Sequence, residues 1–178
     1  MENLELFNNP CDFFPNMNNF NNYYYFIDNY GTTSLNNVTI TPNEYTQYHL
    51  FDIIVRNGSS ITLNNVRYIL KEGYERTNGI KIETGSTVNF KGSCNIPDIK
   101  IVKAENSYVS GEPLLKFDNS FTNQVQMKIT LDEAAVNELI TKHIPFTNKD
   151  ITSQVFWSYN DFILQRESNG LYYLEPDN

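Results

Sequence analysis

Three carboxylates are the side chains best placed to do chemistry. Glu83, Glu105 and Asp118 each lie shortly before a serine that closes a short turn. If the segments that carry them are stacked copies of one unit, the three carboxylates share one column. Paired carboxylates hydrolyse glycosidic bonds, and a column of carboxylates supplies the oxygen ligands that Ca²⁺ prefers. A solvated corner uses the same residues and is the interpretation that we favour.

The histidines and cysteines match no catalytic or metal-binding motif. His49 lies among aromatic residues, and His143 is expected in the last turn of a helix, where an imidazole can pair with free carbonyls. Cys11 and Cys94 have no neighbouring CxxC or CxxH pattern. GxSxG, HExxH, P-loop and GxGxxG motifs are absent from the sequence. We therefore predict no catalytic residue, no cofactor and no metal site, with Cys94 packed in a core turn.

The charge and hydropathy patterns argue against two classes of partner. The chain of 178 residues has a formal net charge of −8, and its 13 basic residues are scattered. Because nucleic-acid binding needs clustered Lys and Arg, we predict no nucleic-acid partner. No window approaches the ~18 apolar residues of a membrane span, and the N-terminus lacks the pattern of a secretory signal. We predict no membrane partner and synthesis in a cytoplasm.

Short stretches of the chain repeat one another. The tetrapeptide LNNV occurs at Leu35–Val38 and again at Leu63–Val66, 28 residues further on, and the Gly-Ser pairs at Gly58 and Gly85 are 27 residues apart. Self-similarity at this period is typical of architectures in which coils stack on one another. Many of the 26 asparagines fall at turns, where Asn tolerates left-handed backbone. An AT-rich genome would produce the same enrichment.

Residues 31–125 are predicted to form these stacked coils. Short segments alternate apolar with polar residues and are rich in β-branched side chains, with Gly, Asn and Ser between them. Four copies align on a turn that closes on Ser59, Ser86, Ser107 or Ser120. The predicted fold is mainly β, a short β-solenoid or β-helix-like stack. An antiparallel β-sandwich or jelly roll is the alternative, because its strands recur at similar intervals.

Residues 126–178 are predicted to form a helix and a β-hairpin that cap the stack. Thr130 and Glu133 make a capping box, with Thr130 as N-cap, and Pro145 ends the helix. Asn169–Gly170 is a two-residue turn signal that joins Phe162–Glu167 to Leu171–Leu174. A helix and a hairpin in this place would cover strand edges that otherwise promote aggregation.

Residues 1–30 are predicted to be an arm rich in Asn and aromatic residues. No helical or strand period is present, and Pro10 and Pro15 interrupt any regular element. Aromatic side chains dominate interaction hot spots, although they more often fill cores. Eight aromatic residues near the two chain ends are therefore candidates for an interface, namely Phe13, Phe14, Phe20, Tyr23, Tyr24, Tyr25, Trp157 and Tyr159.

The units IIVRNGSSITLNN and IKIETGSTVNFKG resemble the coils of right-handed parallel β-helix proteins, such as pectate-lyase-like enzymes and phage tailspikes. Resemblance to phage components implies a non-enzymatic structural or attachment protein of a virion, as a capsid, fibre or tail subunit. The implied partners are further copies of the chain, for example in a homotrimer, and other structural proteins.

The same resemblance sets the expected location and the alternative function. The expected location is the virion after synthesis in the host cytoplasm, with a soluble cytoplasmic protein as the alternative. A carbohydrate-binding or carbohydrate-active β-helix module is the alternative function, and its partners would be surface glycans.

Overall fold

A computed structural model describes residues 5–7, 27–41, 52–69, 79–156 and 162–177. These residues form seventeen strands and one α-helix. The elements in chain order are β1 Glu5–Phe7, β2 Ile27–Asn29, β3 Thr32–Asn36, β4 Thr39–Thr41, β5 Ile53–Val55, β6 Ser60–Asn64, β7 Arg67–Tyr68, β8 Ile80–Glu83, β9 Thr87–Lys91, β10 Ser93–Cys94, β11 Asp98–Val102, β12 Leu115–Phe117, β13 Thr122–Asn123, β14 Lys128–Leu131, α1 Glu133–Thr141, β15 Val155–Phe156, β16 Phe162–Arg166 and β17 Tyr172–Pro176.

The strands stack into parallel sheets that run along the molecule. The first sheet has the order β15-β14-β11-β8-β5-β2, and the second has the order β12-β9-β6-β3. A third side contains β1-β4-β7 and the pair β10-β13, which an isolated bridge between Arg67 and Asn95 connects. The chain thus winds as a β-solenoid of about three turns. The solenoid prediction is confirmed, and the antiparallel sandwich is wrong.

The repeated tetrapeptides lie directly over one another. Leu35 pairs with Leu63, Leu63 with Phe90, and Phe90 with Phe117 in parallel register along the second sheet. All four side chains are buried, and the rings of Phe90 and Phe117 stack with centroids 4.9 Å apart. A parallel in-register stack places equivalent residues of successive coils in one column, so an apolar residue at one position continues the core. The spacing of the repeats in the sequence therefore corresponds to the length of one coil.

The first corner of each coil needs left-handed backbone. Gly58 and Gly85 have φ of 74° and 84°, and the Gly58 amide donates to the Gly85 carbonyl at 3.1 Å. The hydroxyls of Ser59 and Ser86 each donate to the carbonyl three residues earlier. These two serines occupy equivalent corners, as predicted. Ser120 does not, because it lies at the second corner, where its Oγ accepts from the Gly92 amide at 3.1 Å.

Asparagine side chains continue the hydrogen-bond ladder where the strands end. The Asn123 amide group donates to the Ile96 carbonyl at 2.8 Å and accepts from the Ile96 amide at 2.8 Å. Asn148 makes the same paired contact with Phe117, at 3.0 and 2.7 Å, and Asn95 makes it with Tyr68. A side-chain amide carries the same donor and acceptor as a peptide group. It therefore satisfies backbone groups that a buried strand end would otherwise leave unpaired.

A helix and a hairpin follow the coils, as predicted, but the helix begins later than the capping box indicates. Its N-cap is Asp132, whose side chain accepts from the Ala135 amide at 2.9 Å. Thr130 lies instead in β14, opposite Lys100 of β11. Ladder hydrogen bonds hold the backbone extended through Leu131, and Asp is as good an N-cap as Thr. Strands β16 and β17 pair antiparallel across a turn in which Gly170 has a φ of 83°.

The predicted arm lies largely outside the described residues. Two of its segments are described: β1 pairs with β4, and β2 pairs with β5 in the first sheet. All eight predicted interface aromatics, from Phe13 to Tyr159, lie outside the described residues, as do His49 and Cys11. Within the described ranges, no helix has the length and apolarity needed to cross a lipid bilayer.

Candidate functional site

A polar groove runs along the outer face of the second sheet. Residues 103–114 leave the first sheet at the end of β11 and form one wall, and the outward side chains of the second sheet form the floor. The cavity has a volume of about 340 Å³. Its lining consists of hydroxyl, amide and charged side chains, one aromatic ring and backbone, from Gly58, Ser59, Ser60, Gly85, Thr87, Asn89, Tyr108, Ser110, Glu112 and Lys116.

The floor of the groove follows from the alternation within each strand. In β6 the inward residues Ile61 and Leu63 are fully buried, whereas Ser60 and Thr62 are half-buried on the outer face. Thr62 pairs with Asn89, and Asn89 pairs with Lys116, so one outward residue from each of three coils lies in a column. Strands in a sheet are spaced ~4.8 Å apart. The floor is therefore a regular array of hydrogen-bonding groups.

Asn57 holds the wall in place. Its side-chain oxygen accepts from the Tyr108 amide at 2.7 Å, and its side-chain nitrogen donates to the Asn106 carbonyl. The Tyr108 backbone passes so close to Gly85 that a Cβ there would lie 2.5 Å from the Tyr108 carbonyl oxygen. Glycine at this corner thus lets the wall approach the coil. Tyr108 lines the groove and is 62% exposed.

An ion pair crosses the groove from its wall to its floor. Lys116 Nζ lies 2.9 Å from Glu112 Oε2, and both side chains are about half exposed. The Glu112 amide donates to the Ser110 hydroxyl at 3.2 Å, which orders the wall beside the pair. A solvent-exposed pair of this kind contributes little stability. Its charges remain available to a bound molecule.

The three carboxylates singled out in the sequence do not share a column. Glu83 ends β8 of the first sheet and pairs with Arg56 at 2.9 Å, while Glu105 is exposed in the wall segment. Asp118 follows β12 of the second sheet, where it accepts from the Ser120 amide at 2.9 Å. The column considered for these carboxylates is not formed, because the serines that aligned the copies lie in different places: Ser86 at the first corner, Ser107 in the wall segment and Ser120 at the second corner.

Arg56 links three coils of the first sheet. Its guanidinium binds both oxygens of Asp28, with the Nε contact at 2.6 Å, and reaches Glu83 through Nη1. The hydrogen bonds that Arg56 donates to Asp28 are the largest cause of its raised pKa. Glu83 therefore serves as a structural partner of Arg56, and its other oxygen accepts from the Asn57 amide at 3.1 Å. This contact positions the residue that holds the groove wall.

Glu138 fastens the wall segment to helix α1. The carboxylate accepts from the Ser107 hydroxyl at 2.5 Å, from the Thr84 hydroxyl, and from Lys142 Nζ at 3.1 Å. Burial by itself would raise the pKa of Glu138. The hydrogen bonds from Ser107, Thr84 and Lys142 outweigh burial and lower it. Glu138 is the buried charge that connects wall, coil and helix.

Replacing Glu138 with glutamine is expected to lower the free energy of unfolding at pH 7 by about 1–3 kcal/mol, because charge-assisted hydrogen bonds become neutral ones. The lowered pKa means that the carboxylate stabilises the fold above its ordinary pKa of about 4.5 and loses this effect as the pH falls below it. Urea unfolding followed by circular dichroism at pH 7 and pH 3 measures the difference. Glu133→Gln on the exposed start of the same helix is the control. An equal cost of Glu138→Gln at both pH values would contradict this role.

His143 and Cys94, the other two residues considered in the sequence that the structure describes, lie outside the groove. His143 is not in the last helical turn. It lies just after it with a φ of 49°, and its ring stacks on Tyr173 with centroids 4.3 Å apart. Cys94 is fully buried, as predicted, and burial raises the pKa of its thiol.

The groove itself was missed by sequence reasoning. Its floor was visible as outward Ser, Thr and Asn positions in the repeats, but the wall at 103–114 aligned only as a weak copy of a coil.

The fold assigns the chain to the β-solenoid class. Comparison with protein-family models, curated proteins and solved structures gave no match. The groove has therefore to be interpreted from its own side chains. A function inferred from the fold alone would not be specific, because one fold supports many functions.

Proposed function

We propose that this chain is a non-enzymatic attachment protein that binds neutral carbohydrate in the groove of the second sheet. The observation that carries the proposal is the combination of an exposed aromatic ring, Tyr108, with an array of hydroxyl and amide groups on the groove floor. The volume of about 340 Å³ lies within the range of small-molecule sites, ~300–1,000 Å³.

The chemistry of the groove suits sugar rings. A sugar presents hydroxyls around its edge, which donate and accept hydrogen bonds, and C–H groups on its face. Ser60 offers a hydroxyl and Asn89 a side-chain amide, and each group can both donate and accept hydrogen bonds. The exposed face of Tyr108 provides an apolar surface for the ring to lie on. The spacing of ~4.8 Å between coils repeats these groups along the stack, which suits a chain of sugar units.

The charges of the groove favour binding without hydrolysis. Glycosidases use two carboxylates on either side of the scissile bond. Among the described residues that line the groove, Glu112 is the one carboxylate, and it is paired with Lys116. The net charge of −8 disfavours acidic glycans by long-range repulsion. These features support a neutral glycan as ligand.

A glycan array probed with the full chain is expected to show binding to neutral oligosaccharides, and Tyr108→Ala is expected to weaken it at least tenfold. Truncation of an aromatic hot-spot residue costs about 2 kcal/mol or more, and ~1.4 kcal/mol corresponds to tenfold. Tyr30→Ala is the matched control, because Tyr30 is 73% exposed but lies over Arg56 at 5.4 Å, outside the groove. Silence across the array, or equal losses in the two variants, would overturn the proposal.

Assembly as a virion subunit remains a broader prediction. It rests on the coil pattern and on the aromatic residues of the arm, and it agrees with an attachment role because oligomers multiply weak glycan contacts. The mass of the protein in solution distinguishes an oligomer from a monomer. Light scattering of a homotrimer would support this prediction, and a monomer at micromolar concentration would count against it.

A further inference from the structure

A second group of polar side chains lies where the end of helix α1 meets the C-terminal hairpin. One nitrogen of His143 and one carboxylate oxygen each of Glu167 and Glu175 lie within 4.8 Å of one another. His143 Nε2 and Glu167 Oε1 are 3.0 Å apart. None of these residues belongs to the groove.

The hairpin brings the two carboxylates to the same face. Gln165 pairs with Tyr173, and Ile163 pairs with Glu175 across β16 and β17. Alternate residues of a strand share a face, so Glu167, Tyr173 and Glu175 point to one side. The Tyr173 ring lies parallel to the His143 ring, with 8° between the planes, and its hydroxyl accepts from Asn169 Nδ2 at 2.9 Å. The imidazole is thus oriented by a ring that is itself held in place.

The cluster carries more negative charge than its contacts neutralise. His143 forms an ion pair with Glu167 only when the imidazole is protonated. Among the described residues, the Glu175 carboxylate has no ion pair and no hydrogen bond. The C-terminal end of helix α1 adds the negative end of its dipole near His143. Each of these features favours a cation between the three side chains.

One imidazole nitrogen and two carboxylate oxygens match the ligand chemistry of zinc. Zn²⁺ binds His nitrogen at ~2.0–2.1 Å and carboxylate oxygen at ~2.0–2.2 Å, which places tetrahedral ligands ~3.4 Å from each other. The separation of His143 and Glu167 is already near this value, and rotation of the Glu175 side chain would complete the set. Ca²⁺ prefers oxygen ligands throughout and six to eight of them.

We propose that His143, Glu167 and Glu175 form a Zn²⁺ site that joins the end of helix α1 to the hairpin. Three protein ligands leave a fourth position for water, and the exposure of His143 keeps that position open to solvent. The metal would neutralise the carboxylates and fix the hairpin against the helix that fastens the groove wall through Glu138.

Titration of the full chain with Zn²⁺ at pH 7, followed by isothermal calorimetry, is expected to show one site. Glu175→Gln removes one ligand charge, and His143→Asn removes the imidazole while keeping a residue that tolerates positive φ. Each variant is expected to lose at least tenfold in affinity. Glu105→Gln, which removes an exposed charge elsewhere, is expected to bind within twofold of the unmodified chain.

Three results would overturn the assignment. The first is no saturable Zn²⁺ binding below millimolar concentration. The second is unchanged affinity in both ligand variants, which would place the metal elsewhere in the chain. The third is Ca²⁺ binding of equal strength that His143→Asn leaves intact, which would mean that the carboxylates act as an acidic cluster without the imidazole.

Discussion

Replacing Asp52 with asparagine is expected to stabilise the chain at pH 7 and above. Asp52 precedes β5 and is 1% exposed, and neither carboxylate oxygen has a hydrogen-bond partner among the described residues. Burial raises the pKa of Asp52 to about 8. A buried carboxylate without a partner is costly when charged, so the folded chain holds the proton instead. Asparagine keeps the shape and cannot ionise.

The direction of the pH effect is opposite to that of most carboxylates. The pKa of an unfolded Asp is about 3.9, so the folded state holds a proton that the unfolded state has lost between pH 4 and pH 8. The contribution of Asp52 to the free energy of unfolding is therefore largest below about pH 4 and falls as the pH rises towards 8. One pKa unit corresponds to ~1.4 kcal/mol, which sets an upper limit of about 4 kcal/mol lost by pH 7.

Urea unfolding at pH 4, 6 and 8 measures this effect. Asp52→Asn is expected to equal the unmodified chain at pH 4 and to exceed it by about 2–4 kcal/mol at pH 8. The exposed Asp177→Asn is the matched control and is expected to change stability by less than ~0.5 kcal/mol throughout. If Asp52→Asn is less stable at pH 8, Asp52 has a favourable charged partner and the account of its burial is wrong.

Replacing Gly85 with alanine is expected to cost far more than the same change at Gly58. Both glycines have positive φ, which costs an L-residue roughly 1–2 kcal/mol. At Gly58 nothing lies within 4 Å of the added Cβ, so only this strain applies. At Gly85 the Cβ would lie 2.3 Å from Asn57 Oδ1 and 2.5 Å from the Tyr108 carbonyl oxygen. The wall of the groove would have to move.

We expect Gly58→Ala to lower the free energy of unfolding by about 1 kcal/mol and Gly85→Ala by about 3 kcal/mol or more. Because Tyr108 moves with the wall, Gly85→Ala should also reduce glycan binding, while Gly170→Ala, at a positive-φ turn of the hairpin outside the groove, should leave it nearly unchanged. Denaturant unfolding and the array together check both parts. Equal small effects at the two corners would show that the wall does not pack against Gly85.

The coils were predictable because stacking imposes a repeat. Leu35, Leu63 and Phe90 occupy one column of the core. Because the positions of this column must be apolar, apolar residues recur in the sequence at intervals of one coil. Gly58 and Gly85 repeat for the same reason, since each corner has the same backbone requirement. Local chemistry also predicted the hairpin, because Asn169–Gly170 admits left-handed backbone that other residues avoid.

The groove was not predictable because its parts are joined by long-range contacts that do not repeat. Asn57 meets Tyr108 across 51 residues of chain, and Thr84 meets Glu138 across 54. Neither contact joins equivalent positions of two coils, so a repeat in the sequence does not reveal it. The misplacement of the helix start has a related cause, because pairing of Thr130 with Lys100 extends β14 into the predicted capping box. Tertiary pairing decided between two N-caps that are locally equivalent.

The most direct test of glycan binding in the groove is a map of amide chemical shifts by NMR during titration with the strongest neutral glycan from the array. Chemical-shift changes are expected to concentrate at Ser60, Asn89, Tyr108 and Lys116, with the hairpin from Phe162 to Pro176 unchanged. Shifts confined to the hairpin or to the outer face of the first sheet would contradict it and place the binding site elsewhere.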